Sequence, residues 1–226
     1  IDNELLHRYR DGESRFEATL EDHAYLICGL TDLYESTFQI EYLKFASDLN
    51  EITISKFYDN TNGGFFDVGS DVKDVILKTK DTYDGAEPAG NSVQIMNLLR
   101  LGYMTDNKEL INKEEQSMRL FSNDLRRLPF SSPQMLCAMS FLLNAPKEII
   151  ITGSLSNDKT KELINGIDQM FIPNKVVLHA DEDLLKFAPY LKDLISSIGE
   201  SKVYICENYK CNLPTDDINL IHEMLS

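Results

Sequence analysis

Val93, Ile95, Met96, Leu98, Leu99, Leu101 and Met104 crowd one stretch so closely that a helix over 93–104 has almost no polar side. A helix that is apolar nearly all round must be covered on several sides, so other elements have to pack about it. The run in front of it has the opposite character. Lys80-Asp81-Thr82-Tyr83-Asp84-Gly85-Ala86-Glu87-Pro88-Ala89-Gly90-Asn91-Ser92 brings acids, a lysine, glycines, a proline and an amide together. Asp84-Gly85 reads as a tight turn, with Gly taking φ > 0 at no steric cost. Pro88 fits the first turn of a helix, where its missing N–H goes unnoticed. The whole reads as a polar loop aimed into the start of a buried helix, and such loops are where binding and catalytic groups concentrate. The competing reading is a turn and a helix start, with Asp84 and Glu87 as solvated acids favoured by the helix dipole.

The flanking segments supply the cover. Thr19-Leu20-Glu21-Asp22 is a capping-box pattern. It opens a helix with Ala24, Ile27, Thr31 and Tyr34 on one stripe and Leu26, Leu30 and Leu33 beside it. Asp22 is read first as the cap. His23 lies about 100° further round and is read first as a partner for a nearby polar group. Tyr42, Phe45, Leu49 and Ile52 mark one stripe of an outer helix, and residues 107–126 mark another with Leu110, Ile111, Met118, Phe121 and Leu125. Asn60-Thr61-Asn62-Gly63-Gly64 is a turn, Phe65-Phe66-Asp67 starts a short extended segment, and 72–79 returns from it. Ser132 caps and Pro133 opens a further apolar helix. Inner and outer helices alternate in pairs, the pattern of stacked αα-hairpins closing towards a ring. Residues 1–17 read as a charged connecting segment.

After Asn144-Ala145-Pro146 the character changes. Strands are predicted at 148–152, 176–178 and 203–206, helices at 158–170 and 182–197, and a last helix at 216–225. Strand, helix, strand, helix, strand predicts a small parallel sheet with right-handed crossovers. The predicted fold is thus mainly α with an α/β appendage: a partial α/α toroid of helical hairpins over 1–146, then a three-stranded parallel βαβαβ unit over 147–226. Gly153-Ser154 reads as a turn ahead of an Asn157/Asp158 cap rather than an anion site, because neither phosphate-loop glycine spacing is present.

The chain has 226 residues, 42% hydrophobic and 26% charged, so a packed core is within reach. A net charge of −15 opposes binding to nucleic acid or to an anionic membrane. No apolar run nears the roughly 20 residues of a membrane span. The first residue is Ile1 and no leader is visible, which points to a piece of a longer protein. Four cysteines do not make a disulfide scaffold, so a reducing, cytoplasmic setting is expected. Cys28 and Cys137 are expected as buried thiols, and Cys206 and Cys211 as reduced and free of zinc. Their spacing is not Cys-x-x-Cys, and His179 and His222 are the tail's histidines.

Leu20-Glu21-Asp22-His23-Ala24-Tyr25-Leu26-Ile27, Gly63-Gly64-Phe65-Phe66-Asp67, the run from Asp81 to Ser92, and Val203-Tyr204-Ile205-Cys206-Glu207-Asn208-Tyr209-Lys210-Cys211 occur in this order. In these segments the chain resembles the C-terminal part of the thioredoxin-domain proteins related to spermatogenesis-associated protein 20. The resemblance spans about 18–214, and Tyr-Asp-Gly-Ala-x-Pro-x-Gly-Asn-Ser is its specific part. It implies a fragment without the family's thioredoxin-like domain and without the first half of a toroid similar to N-acylglucosamine 2-epimerases and six-hairpin glycosidases.

One functional reading is therefore a carbohydrate-active enzyme, acting on a sugar-like small molecule. Epimerisation needs a base and an acid about one carbon, and glycoside hydrolysis needs two carboxylates. Asp22, His23, Asp67, Asp84 and Glu87 are the catalytic candidates, with Tyr83, Asn91 and Ser92 to bind substrate; no metal or cofactor is invoked. These groups are expected around one concave mouth. The alternative is a non-catalytic binding or scaffold module serving the thioredoxin-like domain. A redox or metal site at Cys206 and Cys211 ranks third. Helices near 20–34 and 39–56, left without an upstream neighbour, are expected to pair two copies of the chain.

Overall fold

The computed structural model describes residues 5–72, 75–207 and 210–225. Residues 1–4 of the predicted connecting segment, Lys73-Asp74 of the predicted returning piece, and Asn208-Tyr209 of the resembling tail segment lie outside the described residues. Residues 6–17 are not a plain connector: β1 (Leu6–Arg10) and β2 (Glu13–Glu17) form an antiparallel hairpin. Asp11 at φ 53° and Gly12 at φ 82° make its turn, the left-handed pair a two-residue hairpin needs. Its exposed charged side chains gave no alternation from which a strand could be read.

α1 (Leu20–Thr37) starts at the predicted cap, where the Thr19 N–H and hydroxyl donate to the Asp22 carboxylate at 2.8 and 3.0 Å. It forms a hairpin with α2 (Ile40–Phe57), turned by Phe38 in the left-handed region. The buried stripe of α2 is Ile40, Leu43, Ala46, Leu49, Thr53 and Phe57. Phe45, expected on that stripe, is 53% exposed. The two stripes differ by about one position in a helix rich in apolar residues, and contact with α1 decides between them.

A long irregular stretch joins α2 to α3 (Gly90–Thr105). The extended segment expected at Phe65-Phe66 is a single bridge, Tyr58 to Phe65. Gly64, at φ 72°, lies so close to Leu120 and Phe121 of α4 that a Cβ would sit 2.9 Å from both. α3 is buried along nearly its whole length, as its composition requires, and packs against α1, α4 (Lys108–Arg127) and α5 (Pro133–Leu143). Two of its buried amides bond to neighbouring helices: Gln94 donates to Asn50 of α2 at 2.7 Å and Asn97 to the Ala24 carbonyl of α1 at 2.8 Å. Pro88 and Gly85 do not do what was expected of them. The helix begins two residues after Pro88, and Gly85 is not among the positive-φ glycines. Ser132 precedes α5 without capping it, its hydroxyl donating instead to the Thr82 carbonyl at 2.6 Å.

The remainder is a four-stranded sheet in the order β4-β3-β5-β6, with β3 Lys147–Ile151, β4 Lys175–His179, β5 Val203–Glu207 and β6 Lys210–Cys211. β3 and β4 are parallel, joined through α6 (Asp158–Asp168). β5 is antiparallel to β3, so the all-parallel prediction is corrected. The helix expected over 182–197 is only α7 (Glu182–Phe187), followed by a 3-10 turn from Pro189. Pro189 cannot continue the ladder of α7. The chain turns back and re-enters the sheet from the end it left: Gly153 N–H bonds the Ile198 carbonyl and Thr152 N–H that of Lys202. α8 (Ile218–Leu225) packs against α6. The chain is thus mainly α with an α/β appendage, and among the described residues no helix is long and apolar enough to cross a membrane.

The cysteines also differ from expectation. Cys206 and Cys211 face each other across β5 and β6 and are joined as a disulfide. Cys28 is half-buried and Cys137 exposed. A helix position can be told to be apolar from sequence, but which flank stays uncovered depends on the neighbours.

Glu114 is fully buried in α4, and neither carboxylate oxygen has a hydrogen-bond partner among the described residues. Burial, with Glu115 adding to it, pushes its carboxyl up to about 7. A raised acid keeps its proton when folded, so its cost to stability grows as pH rises from about 4.5 to about 7. Glu114→Gln is expected to stabilise by up to about 3 kcal/mol at pH 8 and by little at pH 4.5. Urea unfolding at the two pH values measures this, and an equal gain at both would contradict it.

Candidate functional site

The site candidates gather where the starts of α1, α3 and α5 meet the irregular stretch, but they do not all face one mouth. Asn91, fully buried on the first turn of α3, is spent on the backbone. Its oxygen accepts from Phe65 N–H at 2.8 Å, and its amide donates to the Phe65 and Asp81 carbonyls at 2.9 and 3.0 Å. Asp84 is also spent. One oxygen accepts from Ala89 N–H and the other from Gln134 N–H in the first turn of α5, each at 2.8 Å. The Asp84 N–H donates to Ser131. The acid–glycine loop is therefore a clasp that fixes α5 against the start of α3. Ser92 is buried, its hydroxyl without a partner among the described residues.

Asp67 clamps a second pair of segments. Its carboxylate accepts from the Thr79 hydroxyl at 2.6 Å and Asp81 N–H at 3.1 Å, while its backbone bonds Leu20 and Thr79. Asp22 stays at the cap, with the His7 ring of the hairpin 2.9 Å from it. Partial burial works against the Asp22 carboxylate, but bonds from Thr19 and His7 outweigh it and hold the carboxyl below the usual range. His23 faces the other way, into the α1–α2 contact. Its ring nitrogen is 3.0 Å from the Thr53 hydroxyl, and the ring meets Phe57 edge-on at 5.1 Å. Burial, helped by Lys56, drives its pKa down to about 4, so the imidazole is neutral at physiological pH. Tyr83 and Glu87 are exposed on the loop.

Between these clamps lies a cleft of about 610 Å³, walled by Thr19 to Glu21, Asp67-Val68 and Thr79 to Asp81. Its least engaged acid is Glu21, which sequence reading passed over as one of two adjacent acids in a helix's first turn. Burial raises the Glu21 carboxyl, and Glu87, Asp67, Asp22 and Asp81 raise it further. Three of the candidate acids, Asp22, Asp67 and Glu87, thus act on one neighbour without themselves pointing at one reacting atom. Lys80, the cation of the cleft wall, is committed to Asp59 at 2.8 Å and to the Gly63 carbonyl at 2.6 Å, and lies over the Phe66 ring. That contact, with Asn62 adding to it, holds Asp59 far below the carboxylate range. Tyr25 closes the rim with a bond to the Pro88 carbonyl at 2.9 Å. An acid-lined cleft of this kind accepts hydrogen bonds from hydroxyl or amine groups. Among the described residues no group of His, Cys, Asp and Glu is arranged to hold a metal ion.

This places the chain in a class: a mainly helical body whose buried central helix is clasped by a polar loop, with a small mixed sheet appended. It is similar over 206 residues to spermatogenesis-associated protein 20 of Rattus norvegicus, at 37% identity, and to that of Homo sapiens, at 36%. An uncharacterized protein of Caenorhabditis elegans is 30% identical over 217 residues. These matches cover 88–95% of this chain but only 26–29% of each relative, so the chain spans about a quarter of the length of the curated relatives it matches. No protein-family model matches it.

If the Asp84 clasp fixes α5, Asp84→Ala should leave two backbone donors unpaired and cost about 2–4 kcal/mol. Urea unfolding measures the loss; a change below about 0.5 kcal/mol would mean that the clasp is dispensable.

Proposed function

We propose that this part of the protein is a non-catalytic binding and scaffold module that holds a small hydroxyl-bearing, sugar-like ligand in the acid-lined cleft. One observation carries the reading: the Asp67, Asp84 and Asn91 side chains are already taken by donors and carbonyls of the chain itself. A nucleophile or general base needs an oxygen aimed at substrate, and both oxygens of Asp67 and of Asp84 are turned to donors of the chain. What remains is a rigid polar wall.

A second reading, a glycosidase- or epimerase-like site completed by the rest of the full-length protein, is favoured by Glu21. A carboxyl raised by burial and by the acids around it is how a general acid is kept protonated beside an ionised partner. The packing of α1, α3 and α5 about one another is compatible with an arc of an α/α toroid. The partner in that case is the thioredoxin-like domain that the resemblance implies. A panel of sugars and sugar phosphates, titrated into the chain and assayed for turnover, separates the two. We expect binding without turnover, weakened at least tenfold by Glu21→Gln or Asp81→Asn with unchanged thermal stability. Turnover abolished by Glu21→Gln would favour the enzyme, and no binding at all would overturn the cleft.

The same reading includes pairing of two copies through α1 and α2, where Leu33 and Phe45 are 46% and 53% exposed. Sedimentation at micromolar concentration is expected to give a dimer that Phe45→Glu dissociates. A clean monomer would refute it.

A further inference from the structure

A separate cavity of about 240 Å³ opens where the helical part meets the sheet. Its walls come from the end of α3, the start of α4, the first half of β3, the 3-10 turn after α7 and β6. None of these residues belongs to the clasp or to the acid-lined cleft.

The inner wall is set by strand register. Glu148 on β3 stands opposite Cys206 on β5, and Cys206 opposite Cys211 on β6, so the three lie in a row on one face of the sheet. The row ends at the disulfide, with Cys211 in the cavity wall. Glu148 is 7% exposed, it lines the cavity, and its carboxylate has no hydrogen-bond partner among the described residues. A carboxylate this far from water and without a protein donor is met by whatever occupies the space in front of it.

The surroundings set the sign of what fits. α3 ends at the cavity, with Asp106 in the left-handed region at φ 50° after its last turn, and the carboxyl end of a helix favours positive charge, while the start of α4 in the same wall has two of its N–H groups taken by the Asn107 side chain. Asp106 and Asp193 add carboxylates. The ammonium in the wall is Lys108, already engaged in a contact of its own. Tyr190 offers no donor, because its hydroxyl is turned to the Tyr103 and Met104 carbonyls at 3.2 and 3.4 Å. The other walls, Tyr103, Ile111 and Leu194, are apolar. The volume is that of roughly eight water molecules.

We propose that this cavity is a binding site for a small organic cation: a primary ammonium group on a short apolar chain, with Glu148 as its counter-ion and Asp106 as a second acceptor. The ammonium completes the Glu148 carboxylate and lies at the end of α3, while the carbon chain covers Ile111, Leu194 and the Tyr103 ring. Burial, with Asp106 adding to it, raises the Glu148 carboxyl to about 7. The cation is therefore held when that proton is gone, and affinity rises with pH through about 7. The other charged groups near Glu148 are Asp106, Asp193 and Lys108 in the cavity wall and the Lys147–Glu207 ion pair one position along the strands.

Calorimetric titration of the chain with butylammonium, butanol and butyrate tests this. At pH 8 butylammonium is expected to bind at least tenfold tighter than butanol, with no binding of butyrate. Its affinity should fall at least fivefold at pH 6, and Glu148→Gln should lower it at least tenfold. Glu21→Gln should leave it unchanged, which keeps this site distinct from the acid-lined cleft. Equal binding of butanol, full affinity in Glu148→Gln, or no butylammonium binding at millimolar concentration would each overturn the proposal. Should Glu148→Gln fail to fold, Ile111→Phe closes the cavity from its apolar wall, and retained binding in that variant would overturn the proposal equally.

Discussion

The burial of α3 is the constraint to which most of the structure answers. A helix with scarcely any exposed side needs neighbours all round, and α1, α4 and α5 supply them. Burial also strands polar groups that water would otherwise satisfy, and each must be given a partner or destabilise the fold. Asn91 meets this by replacing water for Phe65 and Asp81, so the first turn of α3 fastens the irregular stretch that leads into it. Gln94 and Asn97 do the same towards α2 and α1. The loop before α3 is polar because it must saturate backbone at a crowded junction of three helix starts.

The helical part and the sheet are fastened by a similar device. Glu35 of α1 takes Arg100 of α3 at 2.8 Å with one oxygen and Val177 N–H of β4 at 3.0 Å with the other. β4 is the edge strand beside β3, and an outward N–H on such a strand is open to pairing with another chain. Glu35 covers it, and Arg100, also held by Asp32 at 2.7 Å, keeps Glu35 from being an isolated buried charge. Tyr190 makes the second join, to the last carbonyls of α3. The cavity beside Glu148 is walled in part by this second join.

What the sequence made legible follows from which signals are local. α3, α4 and the start of α1 at Thr19 depend on composition and spacing within one turn, and each lies where it was expected; the Asn107 cap of α4 was not read. The direction of β5 depends on Pro189 cutting short a helix whose apolar pattern ran on. The buried stripe of α2 depends on α1, and the hairpin at 6–17 carries no apolar alternation at all. The candidate site was legible in part. Asp81 and Glu87 of the 81–92 run, together with Asp67 and Asp22, act electrostatically on one neighbour, Glu21. Their roles were not legible, because an acid that caps and an acid that catalyses have the same one-letter code. His23 was read first as a partner for a nearby polar group, and its ring lies 3.0 Å from the Thr53 hydroxyl; that this group sits in the α1–α2 packing was not legible.

Backbone donors and burial together sort the acids of the two sites; Glu35 accepts the Val177 N–H and still lies above its ordinary range, because there burial leads. Asp22, Asp67 and Asp84 each accept a backbone N–H, and Asp22, whose shift is resolved, lies below its ordinary range. Glu21, Glu114 and Glu148 have no such donor among the described residues, and all three lie above theirs, with burial the leading cause in each. A carboxylate fixed by main-chain N–H groups is stabilised in its charged form and held in place, which suits a clasp. A carboxyl without them is poised between charged and neutral and can still answer to a ligand. Glu114 is sealed off inside the helices, so of the three only Glu21 and Glu148 line a space that a molecule could enter. In the two proposed sites, the carboxyls that face a ligand are these two longer side chains, with Asp81 and Asp106 beside them.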